Sequence, residues 1–471
     1  MRRTLLVPFI VATALFMENT DSTVIATSLP VIAQDLNEDP IALKLALTSY
    51  LVSLAIFIPI SGWMADRFGA RTIFRAALGV FMAGSLACAA SDSLSAFVAA
   101  RFLQGIGGAM MVPVGRLVLL RSVPKSEIVQ ALAYLTIPAM VGPVFGPPLG
   151  GFITTYFDWR WIFFINIPIG LLGIVLATLF FENVKEPDAP ALDLTGFLLS
   201  GTGLALLMLG LATGGRHLLP TEVSIGAAVL GVALVAFYVR HARRIENPVV
   251  RLSLLRIPTF RASVVGGSLF RVGVGAIPFL LPLLLQLGFG LNALQSGMIT
   301  FASAAGALFM KTMATRILRR FGFRAVLVAN AFVASAFLAA NGLFTPQTPH
   351  WFILGVLLIG GCFRSLQFTS LNAIAYADVT ARDMSSATSL TSVAQQLSLS
   401  VGVALGAFVL ETVSLARGEA QLTAADFWPA FVVVAAISAL SGLMFMGLKP
   451  DAGAEMSGHR IVAAKPAADS A

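Results

Sequence analysis

Charge is what this sequence has least of. Aspartate, glutamate, lysine and arginine make up 11% of its 471 residues, against roughly 25% in an average soluble protein. A water-soluble fold of this size could not cover its surface with so few charges. A soluble enzyme, a nucleic-acid-binding domain and a disordered scaffold are therefore excluded. Cysteine is nearly absent: Cys88 and Cys362 both fall inside apolar runs, which argues against a disulfide framework. The four histidines, His217, His241, His350 and His459, lie in expected loops or the tail, and none forms a metal-ligand spacing. No Gly-Lys-Ser/Thr loop and no Gly-x-Ser-x-Gly turn occurs, so neither an ATP-cradling loop nor a nucleophile elbow is visible. Gly105, Gly107 and Gly108 imitate a dinucleotide fingerprint, but no strand precedes them. No enzyme, metal or cofactor is expected. Work against a gradient would have to draw on another ion, the proton gradient being the expected source.

What is present is apolar. The chain is 57% hydrophobic, with a mean hydropathy of +0.88. A bilayer-spanning helix needs about 20 mostly apolar residues. Fourteen candidates follow: 8–32, 45–65, 72–91, 97–120, 129–152, 162–181, 195–213, 222–240, 262–286, 294–315, 324–343, 351–372, 386–411 and 427–447. They are too long and too uniformly apolar for barrel strands. Arg2 and Arg3 before LLVPFIVATALF resemble a secretory signal, but the apolar stretch continues past Asp21 and reads as the first span. Most of the 31 lysines and arginines fall on one side of this topology. The positive-inside rule then places both termini in the cytoplasm, with Lys44, Arg101, Arg160, Arg216 and Arg417 outside.

The expected class is an all-α integral membrane protein in four parts. Residues 1–186 form a six-helix bundle, 187–245 a linker with two inserted helices, 246–449 a second six-helix bundle, and 450–471 a cytoplasmic tail. GWMADRFGARTIFR after the second span is echoed by RILRRFGFRAVL after the tenth. Internal repeats of this kind build alternating-access carriers.

Charges inside spans cost about 2.5–3.5 kcal/mol each on insertion scales and are informative for that reason. Glu18 and Asp21 are three residues apart in the first span and so share a face. A desolvated carboxylate is a workable proton carrier, the alternative being a structural pair with an intramembrane arginine. Arg101, Gln104, Gly105 and Gly108 share one face of the fourth span, and Arg116 lies about 20° from Gly105 around the helix. Snorkelling is the alternative for Arg101. Gly142, Gly146 and Gly150 recur every fourth residue of the fifth span beside Pro143, Pro147 and Pro148. They read as tight packing, or as a kinked element on which helices rock. Arg271, Lys311 and Arg364 are the buried bases of the last bundle, followed by Gln367, Asn372 and Tyr376, with Gln395 and Gln396 in the thirteenth span. Arginines lining a site would suit an anionic solute, unless they pair with Glu18, Asp21 or Asp378.

These strings also carry a resemblance. GWMADRFGAR, ARFLQGIGGAMMVP and VGPVFGPPLGG resemble three signatures of the major facilitator superfamily, in the right order. TDSTVIATSLP and WRWIFFINIPIG resemble motifs of its fourteen-span drug:proton antiporter group, and FMENTDSTVIATSLP with GGAMMVPVGRL looks most like the MdtD type of exporter within it. The resemblance implies the major facilitator fold, and proton-coupled export of small organic solutes or drugs across the cytoplasmic (inner) membrane. It implies a conformational latch at Gly62, Asp66, Arg67, Gly69 and Arg71, proton coupling through Asp21, Glu18 and Arg101, and an antiporter helix at Gly142, Pro143, Gly146, Pro147 and Gly150. Arg116, Arg271, Arg364, Gln367 and Asn372 are the candidate substrate contacts. Expected partners are a small-molecule solute, protons and lipid, with no nucleic acid and a monomeric chain. Cation exporters of the group are expected to carry acids in the cavity. Here the C-terminal charges are basic, which makes a citrate-like carboxylate or chelate the alternative cargo. A channel or uniporter is the other transport class, and no filter is recognisable for it.

Overall fold

The computed structural model describes residues 3–122, 128–183, 185, 191–213, 220–246, 248–380, 383–418 and 422–459, without the side chains of 3–6, 116, 120–122, 128–140 and 385. Every regular element among the described residues is helical: α1 Arg3–Asp35, α2 Lys44–Phe68, α3 Ala70–Ala89, α4 Leu94–Ser122, α5 Ile128–Tyr156, α6 Trp161–Phe164, α7 Asn166–Phe180, α8 Leu194–Thr213, α9 Thr221–Ala242, α10 Pro258–Arg261, α11 Gly267–Leu283, α12 Ala293–Ala340, α13 His350–Ile374, α14 Met384–Arg417, α15 Ala424–Met446 and α16 Ala454–Ser457. Eleven stretches among them are long and apolar enough to cross a bilayer. One of these, Ala293–Leu343, runs 51 residues and is folded into two legs at Gly322. The sequence-based figure of fourteen stands beside that count; α1 and α5, of 33 and 29 residues, include residues whose side chains lie outside the description.

The internal echo has a structural counterpart. The α2–α3 turn is made at Gly69 with φ 97° and the α12 fold at Gly322 with φ 74°. Both are left-handed positions that glycine adopts without a Cβ clash. Phe-Gly inside a basic string therefore marks the same sharp reversal in each half.

Helices α1 to α7 pack among themselves, as do α10 to α15, and α8 pairs with α9. The two large bundles meet along three lines: α1 against α11 and α12, α5 against α12, and α2 against α14. The helix pair α8–α9 lies beside the third. α8 packs on both α2 and α14, through Phe197 against Phe57 and Val401 in a cluster with Ile56 and Met208. The C-terminal end of α9 is tied to the second bundle. Its Tyr238 hydroxyl donates to the Val250 carbonyl at 3.2 Å and accepts from the Val250 amide at 2.8 Å. Its ring packs with Phe260, Val264 and Leu390. Both α12 and α15 begin with reciprocal capping boxes, Asn292 with Gln295 and Thr423 with Asp426. Each box satisfies amides that would otherwise be left open at a helix start.

Candidate functional site

A cavity of about 1030 Å³ lies between the two bundles. α1 contributes Glu18, Asn19, Ser22 and Thr23; α5 contributes Pro143 and Pro147; α12 to α14 contribute Ser303, Lys311, Arg364, Asn372, Gln395 and Gln396. Its lining runs down to Gly62, Leu117 and Met384, near the ends of α2 and α4 and the start of α14. The cavity thus opens on the side of the Gly69 turn, where Arg67, Arg71 and Arg75 also stand.

The opposite end is closed. Apolar residues of both bundles, including Ile25, Leu29, Phe279, Leu283 and Phe427, form one cluster there. Gln286 donates to the Thr27 carbonyl at 2.8 Å, and the Leu294 amide to Thr155 Oγ1 at 3.1 Å. α5 and α12 touch so closely that a Cβ on Gly297 would stand 2.2 Å from the Pro147 carbonyl oxygen. Gly297→Leu is therefore expected to prevent this closure. Labelling of a Ser392→Cys reporter by an impermeant thiol reagent added at the closed face should rise several-fold, and unchanged labelling would contradict the closure.

Beside the cavity, in the first bundle, sits a buried polar cluster. Arg101 donates to Asp21 Oδ2 at 2.6 Å and also to Gln104 Oε1. Asp21 Oδ1 accepts from Gln104 Nε2 at 2.8 Å and from Asn166 Nδ2 at 2.8 Å. Both amides also reach Ser85 Oγ, at 2.9 and 3.1 Å. The Arg101 guanidinium lies 4.3 Å over the Tyr50 ring. Asp21, Arg101, Gln104 and Asn166 are all buried. The four-residue window that relates Arg101 to Gln104 on one helix face is thus the window that grips Asp21 from both oxygens.

The shared face expected for Glu18 and Asp21 divides. Three residues turn a helix by 300°, leaving about 60° between them. That is enough for Glu18 to line the cavity while Asp21 turns into the bundle. Arg101, expected as a site residue with snorkelling as its alternative, is fully enclosed.

In the second bundle, Arg364 lines the cavity and donates to Ser303 Oγ at 3.0 Å. Arg271 does not line the cavity; it is fully buried behind the lining residue Asn372, donating to its Oδ1 at 3.3 Å and to the Ser263 carbonyl at 3.4 Å. Lys311 lines the cavity near its mouth. Among the described residues no carboxylate lies within ion-pair distance of Arg271, Lys311 or Arg364; Asp378 instead accepts from Thr259 at 2.7 Å. Gln367 is not brought to the cavity. It is buried and bonded to Asn330 at 2.8 Å and to the Leu327 carbonyl at 3.1 Å, where it pins α13 to α12. The Arg116 side chain lies outside the described residues.

The glycine stripe of α5 faces α1. Gly142 abuts Thr20, Gly146 abuts Thr23 and Gly150 abuts Val24, while Pro143 and Pro147 border the cavity. At the Gly69 turn, Arg71 reaches the Phe181 carbonyl at 3.5 Å and Asn183 Oδ1 accepts from the Thr72 amide at 3.3 Å. These contacts tie the turn to the end of α7. Gly62, within α2, lines the cavity, and Asp66 and Arg67 lie on the last turn of that helix.

The sequence reading missed Lys44 and Glu411. Lys44 was expected in an outer loop and Glu411 as the end of an apolar span. The structure buries both and brings Nζ to 3.3 Å from Oε2. A lysine directly before one span and a glutamate at the end of another was the available signal.

Two helical bundles around one central cavity match comparisons with known proteins. The Major Facilitator Superfamily matches residues 11–403 and again 264–468. The chain belongs to this superfamily. The chain is 36% identical over 446 residues to a Pectobacterium atrosepticum protein, covering 94% of this chain and 95% of that one. It is 37% identical over 439 residues to an Escherichia coli K12 protein, covering 92% of each. Both carry the description "Putative multidrug resistance protein MdtD". In fold, the chain is similar to the POT family transporter PepTSo, with TM-score 0.67 and 14% identity over 96% of this chain and 98% of that one. It is similar also to the nucleoside transporter NupG, with TM-score 0.60 and 13% identity over 95% of this chain and 100% of that one. The major facilitator chain is thus a multi-pass membrane transporter.

Proposed function

We propose that this transporter is a proton-coupled antiporter that exports small organic solutes by alternating access, its open cavity facing the cytoplasm of the inner membrane. The observation that carries the reading is a polar chamber between two bundles, reachable from one end and sealed at the other, with a carboxylate network against its wall. The relatives' description as multidrug resistance proteins supports export. The arginines at the open end, Arg67, Arg71 and Arg75 with Arg316, Arg319 and Arg320, support a cytoplasmic orientation of that end and of both termini.

Asp21 is the exchanging group in this reading. While ionised it holds Arg101, Gln104 and Asn166, and through them α1, α4 and α7. A proton on Asp21 removes the charge that Arg101 answers and loosens three helices together. Glu18, on the adjacent face and lining the cavity, stands between Asp21 and the solute. The latch residues Asp66, Arg67 and Arg71 would engage the other bundle when the cavity closes at its present mouth, and the α5 glycines give α1 a smooth partner during the movement.

A second reading concerns cargo. The basic wall of Arg364, Lys311 and, behind it, Arg271 has no carboxylate partner among the described residues, which favours an anionic carboxylate over a lipophilic cation. Reconstituted protein should accumulate solute when an opposing proton gradient is imposed, and a protonophore should abolish this. Flux that ignores the gradient would refute antiport. Competition between a tricarboxylate and a lipophilic cation then separates the two cargoes.

A further inference from the structure

The closed end contains a feature that neither the cavity nor the carboxylate network uses. Lys44 begins α2 in the first bundle and Glu411 lies in α14 of the second. Their side chains, 0% and 1% exposed, meet at 3.3 Å. They are embedded among Leu43, Leu47, Ala407 and Leu410 of the apolar cluster that closes this end.

An apolar cluster alone would suffice to exclude water. Replacing a buried ion pair with well-packed apolar side chains is often neutral or stabilising. A pair of ions has a different property. Parting it returns both charges to water, and their recovered hydration offsets the lost attraction. An apolar seal of the same size recovers nothing when it opens. A charged seal therefore keeps closed and open states close in free energy, as a carrier that must reopen on every cycle requires.

We propose that Lys44 and Glu411 form an ion-pair gate at the outer end, which holds the bundles together while the cavity faces the cytoplasm and parts on each turnover. This rests on the alternating-access reading above. Three consequences follow from the physics of the pair. Removing one partner deprives the other buried charge of this ion pair and drives the end open. Replacing both with apolar side chains leaves the end shut. Exchanging the two charges restores the gate.

The test uses the full chain in lipid vesicles, with spin labels at Gln34 and Ala416, exposed positions near the outer ends of α1 and α14. Electron–electron distance measurement should give two populations in the otherwise unaltered protein, the shorter dominant without solute. Glu411→Gln should raise the ratio of long to short distances about tenfold or more. Lys44→Met with Glu411→Met should return the short population to dominance and slow transport about tenfold. Lys44→Glu with Glu411→Lys should restore the original ratio. The gate is refuted by an unchanged ratio in Glu411→Gln, by a doubly apolar variant as open as the single one, or by a charge exchange that stays open. If Glu411→Gln does not fold, the two double variants decide on the same criteria. A single distance population under every gradient, before any gate substitution, would instead overturn alternating access itself and reduce the pair to a static contact.

Discussion

Asp21→Asn is expected to abolish gradient-driven transport and, separately, to destabilise the protein. The substitution removes the exchangeable proton and leaves Arg101 enclosed without its counter-charge. Breaking a buried pair by deleting one partner costs about 3–5 kcal/mol, equivalent to at least about 100-fold in the population holding the native network. Transport driven by an imposed pH gradient should fall by about that factor, and the thermal midpoint should drop. The double variant Asp21→Asn with Arg101→Gln separates the two effects. With no stranded charge it should recover much of the midpoint but none of the gradient-driven flux. Recovery of flux would remove Asp21 from the coupling machinery and leave the network purely structural.

The second large effect is expected at the cavity wall. Arg364→Ala removes the arginine that lines the cavity and is held by Ser303. Hydrogen bonds to charged groups contribute about 1.5–3 kcal/mol, so affinity for a carboxylate-bearing solute should fall about 10- to 100-fold. Affinity for a lipophilic cation should hold or rise. Lys311→Ala, at the exposed mouth, should show the same sign with a smaller change. Gln367→Ala serves as the contrast, since that residue bonds α13 to α12 away from the chamber. It should lower stability and leave selectivity alone. Equal losses for anions and cations in Arg364→Ala would count against a basic recognition wall.

The fold was legible because the bilayer imposes few solutions: long apolar runs must be helices, and basic strings must be their ends. The Phe-Gly echo was legible because a left-handed turn needs glycine wherever it occurs, and it recurs at Gly69 and Gly322. The carboxylate network was half legible. Helical spacing put Arg101 beside Gln104 and flagged Asp21, but nothing in one sequence pairs α1 with α4 or brings in Asn166 from α7. Periodicity gives angles around a single helix axis and says nothing of which neighbour stands there. That gap divided Glu18 from Asp21, turned Gln367 away from the cavity, and hid Lys44 and Glu411, which lie 367 positions apart. Lys44 was misplaced for a further reason. Its position at a helix start suits a solvated loop, and only the approach of the other bundle buries it.

The placement of α8 has a consequence for how cargo arrives. Two long joints separate the halves of the molecule. α8 covers the joint between α2 and α14, fastened at one side through its partner helix and Tyr238. Among the described residues no helix covers the joint between α5 and α12 in this way, and it is bordered by the exposed rings of Phe145 and Phe309. A solute dissolved among the acyl chains would find one flank of the carrier walled off and the other fringed with aromatic side chains. Any entry sideways from the lipid would therefore be one-sided, and greasy cargo would reach the chamber through a different door from cargo arriving in water.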